Sequence, residues 1–440
     1  MKREEAPTTF LRLDIVLILC TLGLMAMGIA FIYSSGVTSE GIQVSGEWMR
    51  QIIWSVGGLV LMTGFAFIDY GRWKSWSIAI YLGTIVLLVL VLLIGNYVKG
   101  ARAWLGIGSI GIQPSEFGKL SLIILLAWWF EERGRGQDKI RVWLVAGGMT
   151  ALPVLLILMQ PDLGTAFVYV PILLAMAFAA GIGWRVLLFP VAVGAVVIVG
   201  ALGYAWSEHI AVTPAGFYRL FTEGSLVKVV FPSLAGLCLL SAAGWLLFKQ
   251  RFFRAVLYVF GIATASYIGI AAAARALRGY QMMRLVVFLD PQIDPRGAGW
   301  HIIQSVTAVG SGGVLGKGFL HGTQSHYRYL PEQSTDFIFS ILAEETGFLG
   351  SLIVFALFAI IIIRSLYIAY TSQDRYGTYV AVGVAAMIGF HVMQNIGMAI
   401  GVMPITGIPL FFLSYGGSSL WTALMSMGML LSIHYRRYRN

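Results

Sequence analysis

Charge is scarce in this chain. Of its 440 residues only 11% are Asp, Glu, Lys or Arg, while 58% are hydrophobic. A soluble domain carries about a quarter of its residues charged, so a water-soluble globular fold is excluded. Cysteine is almost missing: Cys20 and Cys238 both fall inside apolar runs. That leaves no disulfide framework and no cysteine metal motif. The long apolar stretches do not alternate with polar residues, which excludes a closed transmembrane barrel. No low-complexity linker and no internal repeat divides the chain, so 1–440 reads as a single integral membrane domain. The first apolar run has no small-residue cleavage site and reads as a retained span.

What is abundant is apolar sequence of membrane-crossing length. About 20 helical residues cross the hydrocarbon core, and lipid offers no partner to unpaired backbone groups, so the spans are helices. Twelve are expected, at 13–34, 52–69, 76–95, 115–130, 142–159, 163–180, 185–206, 226–248, 254–274, 338–363, 377–403 and 408–433. The fold class is an all-α polytopic membrane protein. The net charge of +10 follows topology rather than nucleic-acid binding. With the N-terminus inside, most Lys and Arg fall on the same side, in short loops such as "KQRFFR" and the tail "HYRRYRN". This positive-inside bias puts both termini in the cytoplasm.

Polar residues outside the spans gather in four segments on the outer side: 96–114, 160–165, 275–337 and 401–419. The segment 275–337 is a large extracytoplasmic loop. Within it Trp300, Ile303, Val306 and Val309 are spaced for one short amphipathic helix. Acidic residues number 20 in all, so each can be weighed. Glu116 and Lys119 lie three apart, on one helical face. Ions inside a membrane are costly and are usually paired or functional. The pair either holds helices together or serves a substrate, with Arg102 just outside as a further cation. Asp162, after Pro161, suits either a helix cap or a site near a positive helix end. In "LPEQSTDF" (330–337) Glu332 and Asp336 stand where a loop enters a span. Ser334, Thr335 or Asp336 could cap that helix. A carboxylate at a membrane mouth is equally suited to general-base work. Residue types alone leave these alternatives open.

Five ordered motifs then decide a resemblance: "ARAWLGIGSIGIQPSEFGKL", "QPDLGTA", "DPRGAGWHIIQS", "LPEQSTDFIFSILAEETG" and "MPITGIPLFFLSYGGSS". The chain resembles the SEDS family (shape, elongation, division and sporulation), and "LHGTQSHYRYLPE" resembles its elongation branch. The resemblance implies a peptidoglycan glycosyltransferase that polymerises lipid II. It implies Asp336 as the essential carboxylate, with Arg102, Gln113, Glu116, Lys119, Asp162, Glu332 and Ser414 as substrate-binding or supporting residues. It also implies a class B penicillin-binding protein as partner, alongside other elongation-machinery proteins, in the bacterial inner membrane, with the site facing outward. A pyrophosphate leaving group makes a divalent cation, Mg2+ or Mn2+, an expectation whose ligands the sequence does not name. Two departures stand out: Ser334 where the family often has His, and Phe411 where it typically has Pro. The family's usual ten spans make 207–275 an expected two-helix insertion. The competing functions are a lipid II flippase and a scaffold. Polar groups crowd the outer face instead of lining the membrane depth, which favours chemistry over passage.

Overall fold

The computed structural model describes residues 13–98, 101–107, 110–134, 138–211, 216–276 and 280–437. In chain order the first elements are α1 (Ile15–Ser35), α2 (Glu47–Phe67), α3 (Tyr70–Ile94), strands β1 (Asn96–Val98), β2 (Ala101–Ile107) and β3 (Ile110–Ile112), α4 (Pro114–Arg133), α5 (Lys139–Met159) and α6 (Leu163–Ala179). Then come α7 (Trp184–His209), α8 (Arg219–Thr222), α9 (Gly224–Phe248), α10 (Arg251–Ala276), α11 (Tyr280–Leu289), α12 (Ala298–Ser311) and α13 (Thr323–His326). Last are α14 (Ile338–Thr371), α15 (Arg375–Ala399) and α16 (Gly417–Arg436). Among the described residues nine helices are long and apolar enough to cross a membrane: α1, α2, α3, α5, α7, α9, α10, α14 and α15. The helices α4, α6 and α16 stand at the other expected spans.

Three stretches differ from expectation. The expected span 408–433 is helical only from Gly417. Pro404 and Pro409 lack the N–H a helix needs, and Gly407 sits at φ 72°, outside the helical region. The segment 96–114, expected on the outer side, holds a small antiparallel sheet, β1–β2–β3, with Leu105 opposite Ile112. The 275–337 segment holds α11, α12 and α13, so the short helix read from Trp300 to Val309 is one of three.

The chain divides into two compact units, Met1–Ile182 with Gln304–Asn440, and Gly183–Ile303. In the first, α2 and α16 approach closely. A Cβ at Gly428 would collide with the Met62 carbonyl oxygen, the small-residue packing typical of membrane helices. Trp421 Nε1 donates to the Trp54 carbonyl at 2.9 Å, with the two rings edge to face. The centre of this unit holds the buried lengths of α4, α15 and α16. Polar side chains on these helices therefore face protein and must find partners there. The second unit has a smaller core of Phe221, Tyr267, Ile270 and Ala271, where Tyr267 donates to the Leu220 carbonyl at 2.6 Å. Its α9 exposes Leu239, Leu240, Leu246 and Leu247, a surface suited to lipid.

Candidate functional site

Aspartates precede many helices here, and most are used as caps. Asp14, Asp69, Asp138, Asp162, Asp290 and Asp374 each accept a backbone N–H in the first turn that follows. Asp336 stands one position earlier: the N-cap of α14 is Phe337, whose own side chain makes no cap hydrogen bond. The carboxylate of Asp336 is half-buried at the turn before α14. The turn is tight: the Glu332 carbonyl accepts the N–H groups of Thr335, Asp336 and Phe337 at 3.1–3.3 Å. Glu332 itself sits at φ 50°, a left-handed conformation that costs a side-chain-bearing residue about 1–2 kcal/mol. Thr335 Oγ1 donates to Glu332 Oε2 at 3.3 Å. Ser334, where the family often has His, uses its carbonyl to accept Tyr415 N–H at 2.8 Å.

The non-helical segment before α16 lies against this turn. A Cβ built on Gly407 would stand 3.5 Å from Asp336 Oδ2. Side chains of α15 hold the segment. His391 Nδ1 donates to the Pro409 carbonyl at 2.9 Å, and Gln394 Nε2 to the Pro404 carbonyl at 3.1 Å. Asn395 Nδ2 donates to Ile408 at 2.8 Å and to the Asp336 carbonyl at 2.9 Å. Ser414 is buried, and its Oγ accepts Leu410 N–H at 2.8 Å. It closes the segment's own turn.

Glu116 and Lys119 form the pair their spacing suggests, at 2.7 Å and fully enclosed. Lys119 Nζ is also 3.0 Å from His391 Nε2 and 5.4 Å from the centre of the Phe411 ring. Because Nδ1 donates to Pro409, Nε2 carries the lone pair that accepts from the ammonium. Phe411, the departure from the family's Pro, stacks on His391 with centroids 3.8 Å apart. Asp162 caps α6 through Thr165 N–H at 3.0 Å, and its other oxygen accepts from Gln113 Nε2 at 3.0 Å. Pro161 lies outside that helix, ahead of the cap. Gln113 N–H in turn donates to Ser418 Oγ at 3.0 Å. A Cβ on Gly164 would meet the Thr406 carbonyl oxygen.

One connected set therefore joins Gln113, Glu116, Lys119, Asp162 and Asp336 through the 404–410 segment. Arg102 stands apart from it, exposed on β2, with Nη1 donating to the Leu92 carbonyl at 3.1 Å. Sequence reasoning misses His391, Gln394 and Asn395. The nearby pair Glu344 and Glu345, whose clustering with Glu332 and Asp336 in sequence suggests a site, is buried. Glu344 accepts from Lys317 Nζ at 2.7 Å, from Thr323 N–H at 2.9 Å and from Gln324 N–H at 3.1 Å. Glu345 accepts from Ser34 Oγ and from Leu320 N–H, the latter at 3.2 Å, and lies 3.4 Å from His326 Nε2. Together they fasten the 317–326 stretch to α14. Among the described residues no group of three or more His, Cys, Asp or Glu is placed to hold a metal ion.

A family model described as cell cycle protein, FtsW/RodA/SpoVE, matches residues 14–215 and 217–439. The chain is 45% identical over 424 residues to the peptidoglycan glycosyltransferase RodA of Treponema pallidum (strain Nichols), a match covering 96% of this chain and 98% of that protein. It is 33% identical over 425 residues to the peptidoglycan glycosyltransferase MrdB of Escherichia coli K12, covering 97% and 94%. Among solved structures, a chain from a peptidoglycan synthase complex that coordinates polymerization and crosslinking matches with TM-score 0.65 and 27% identity, over 97% of this chain and 99% of that one. The Thermus thermophilus RodA structure shares the fold, with TM-score 0.61 and 24% identity over 97% and 98%. With its long apolar helices and these relatives, the chain is a multi-pass membrane protein.

Proposed function

This chain belongs to the FtsW/RodA/SpoVE family, and on that footing we propose that it is a peptidoglycan glycosyltransferase that polymerises lipid II during cell elongation and shape maintenance. Asp336 is its general base. The observation that carries this role is position: the half-buried carboxylate lies beside Gly407 at the turn before α14, within the connected polar set. In the reaction the 4-hydroxyl of an acceptor sugar attacks the anomeric carbon of a donor. A carboxylate within ~3 Å takes the hydroxyl proton as the new C–O bond forms. Undecaprenyl pyrophosphate leaves with the electron pair of the broken bond. It leaves as an anion, so no acid is required to protonate it, and nearby positive charge stabilises it. We assign that charge to Arg102, which is exposed on β2 outside the polar set around Asp336. Lys119 is already held by Glu116 and His391, which favours a supporting part for it. Glu332 shapes the turn.

The described residues offer no protein cage for Mg2+ or Mn2+. A divalent ion would enter with the substrate pyrophosphate, and no step here is routed through it. The site faces outward from the bacterial inner membrane, both termini are cytoplasmic, and a class B penicillin-binding protein crosslinks the strands made here. Kinship with a chain from a polymerising and crosslinking complex supports that partner.

The test is polymerisation of lipid II by purified full-length protein. Asp336→Asn is expected to lose ~10²–10⁴-fold in rate at normal yield and folding. A folded Asp336→Asn protein that polymerises at the wild-type rate would refute the assignment. Movement of lipid II across liposomes by that same variant would put the flippase reading in its place.

A further inference from the structure

Asn395 is fully buried in α15, and its single amide group serves two carbonyls from distant parts of the chain. Nδ2 lies 2.9 Å from the Asp336 oxygen and 2.8 Å from that of Ile408. Two carbonyl oxygens repel one another, so a donor with two hydrogens is needed where they converge. A carboxamide supplies one. The amide cannot be turned the other way, because that would aim Oδ1 at both oxygens. Between the two anchor points lies Gly407, whose α-carbon faces the Asp336 carboxylate. His391 and Gln394 fix the flanks of the same segment at Pro409 and Pro404. Asn395 ties that segment to the residue carrying the carboxylate.

We propose that Asn395 is a positioning residue of the polymerase site, setting the distance between the Asp336 carboxylate and the Gly407 backbone that walls it. This rests on Asp336 being the general base. Asn395 touches no reacting atom; it acts through the two main-chain carbonyls. Losing it lets the turn before α14 and the 404–410 segment part, and the carboxylate drifts from the acceptor hydroxyl. Lipid II binding depends on a much larger surface and is unaffected. The signature is a fall in kcat without a change in KM.

Purified full-length Asn395→Leu, of similar volume but without a donor, is assayed for lipid II polymerisation beside Asp336→Asn. The expected result is a kcat lower by ~10²-fold, the usual consequence of misplacing a catalytic group by an ångström. KM stays within about twofold, as for loss of an interaction that matters only in the transition state. Asn395→His, whose neutral ring has one N–H for two carbonyls, falls between wild type and Asn395→Leu. It carries the test alone should Asn395→Leu not fold. A wild-type kcat in either folded variant overturns the proposal, as does a rise in KM that accounts for the whole loss. If Asp336→Asn is inactive while Asn395→Leu is unimpaired, only this inference fails. If Asp336→Asn is itself fully active, the reading beneath it fails as well.

Discussion

Replacing Lys119 with Met removes one charge from a place with no water to compensate for it. Lys119 is wholly enclosed and Glu116 nearly so, with 2.7 Å between their charged atoms. The second oxygen of Glu116 already lacks a hydrogen-bond partner. In Lys119→Met the whole carboxylate is therefore stranded, and His391 Nε2 loses its donor. Removing one member of a buried pair typically costs ~3–5 kcal/mol, most of it the penalty for the charge left behind. In a chain of this size such a loss lowers the unfolding midpoint by about 3–5 °C. The double variant Glu116→Gln with Lys119→Met buries no charge and is expected to recover most of the loss, since neutral replacements of buried pairs are often close to neutral in energy. Thermal unfolding in mild detergent, followed by the fluorescence of the 13 tryptophans, reads both outcomes. The reasoning is refuted if Lys119→Met unfolds at the wild-type midpoint, or if the double variant is less stable than the single one. A stable but inactive Lys119→Met would make Lys119 a substrate contact.

Two further outcomes follow from the outer loops and the charge pattern. Glu345→Ala removes the acceptor of Ser34 and Leu320 and the neighbour of His326; limited proteolysis within 317–326 should speed up by roughly tenfold, equal to ~1.4 kcal/mol of local stability, and an unchanged cleavage rate would show that Glu344 suffices. In a background without Cys20 and Cys238, a cysteine at exposed Ser39 should react with an impermeant maleimide on intact cells, whereas one at exposed Gln373 should react only after permeabilisation; labelling of Gln373 on intact cells would invert the proposed orientation.

How far the site is legible in sequence depends on the distance over which each interaction acts. Glu116 and Lys119 are three apart, so helical geometry alone pairs them. Their partner His391 lies 272 residues from Lys119, and a lone His in an apolar run reads as core. A local signal was nonetheless present: His391, Gln394 and Asn395, at i, i+3 and i+4, put three polar groups on one face of an apolar helix. For Asp162 the sequence allows a cap or a site, and the cap is observed, with Gln113 added. For Asp336 a cap is equally allowed, and the N-cap position falls one residue later, on Phe337. The 408–416 stretch reads as helix on hydropathy, because apolar content does not reveal which carbonyls have partners elsewhere. The sheet of 96–112 escapes notice because its strands are short and glycine-rich. The apolar spans themselves are the most legible part, since length and hydropathy are all that a helix in lipid requires.

The segment tied to α15 also bears on biogenesis. Carbonyls at Pro404, Ile408 and Pro409 find their donors on side chains of α15, and in lipid each would otherwise cost several kcal/mol. Such a stretch has no reason to leave the translocon on its own. It must leave already docked, and chain order allows this, because α15 is synthesised first and emerges with its donors in place. The 317–326 stretch has the opposite timing: it is made before Glu344 and Glu345, and finds its partners only once α14 has been made. The two structures on either side of Asp336 thus close in sequence, first 317–326 on α14 and then 404–410 on α15.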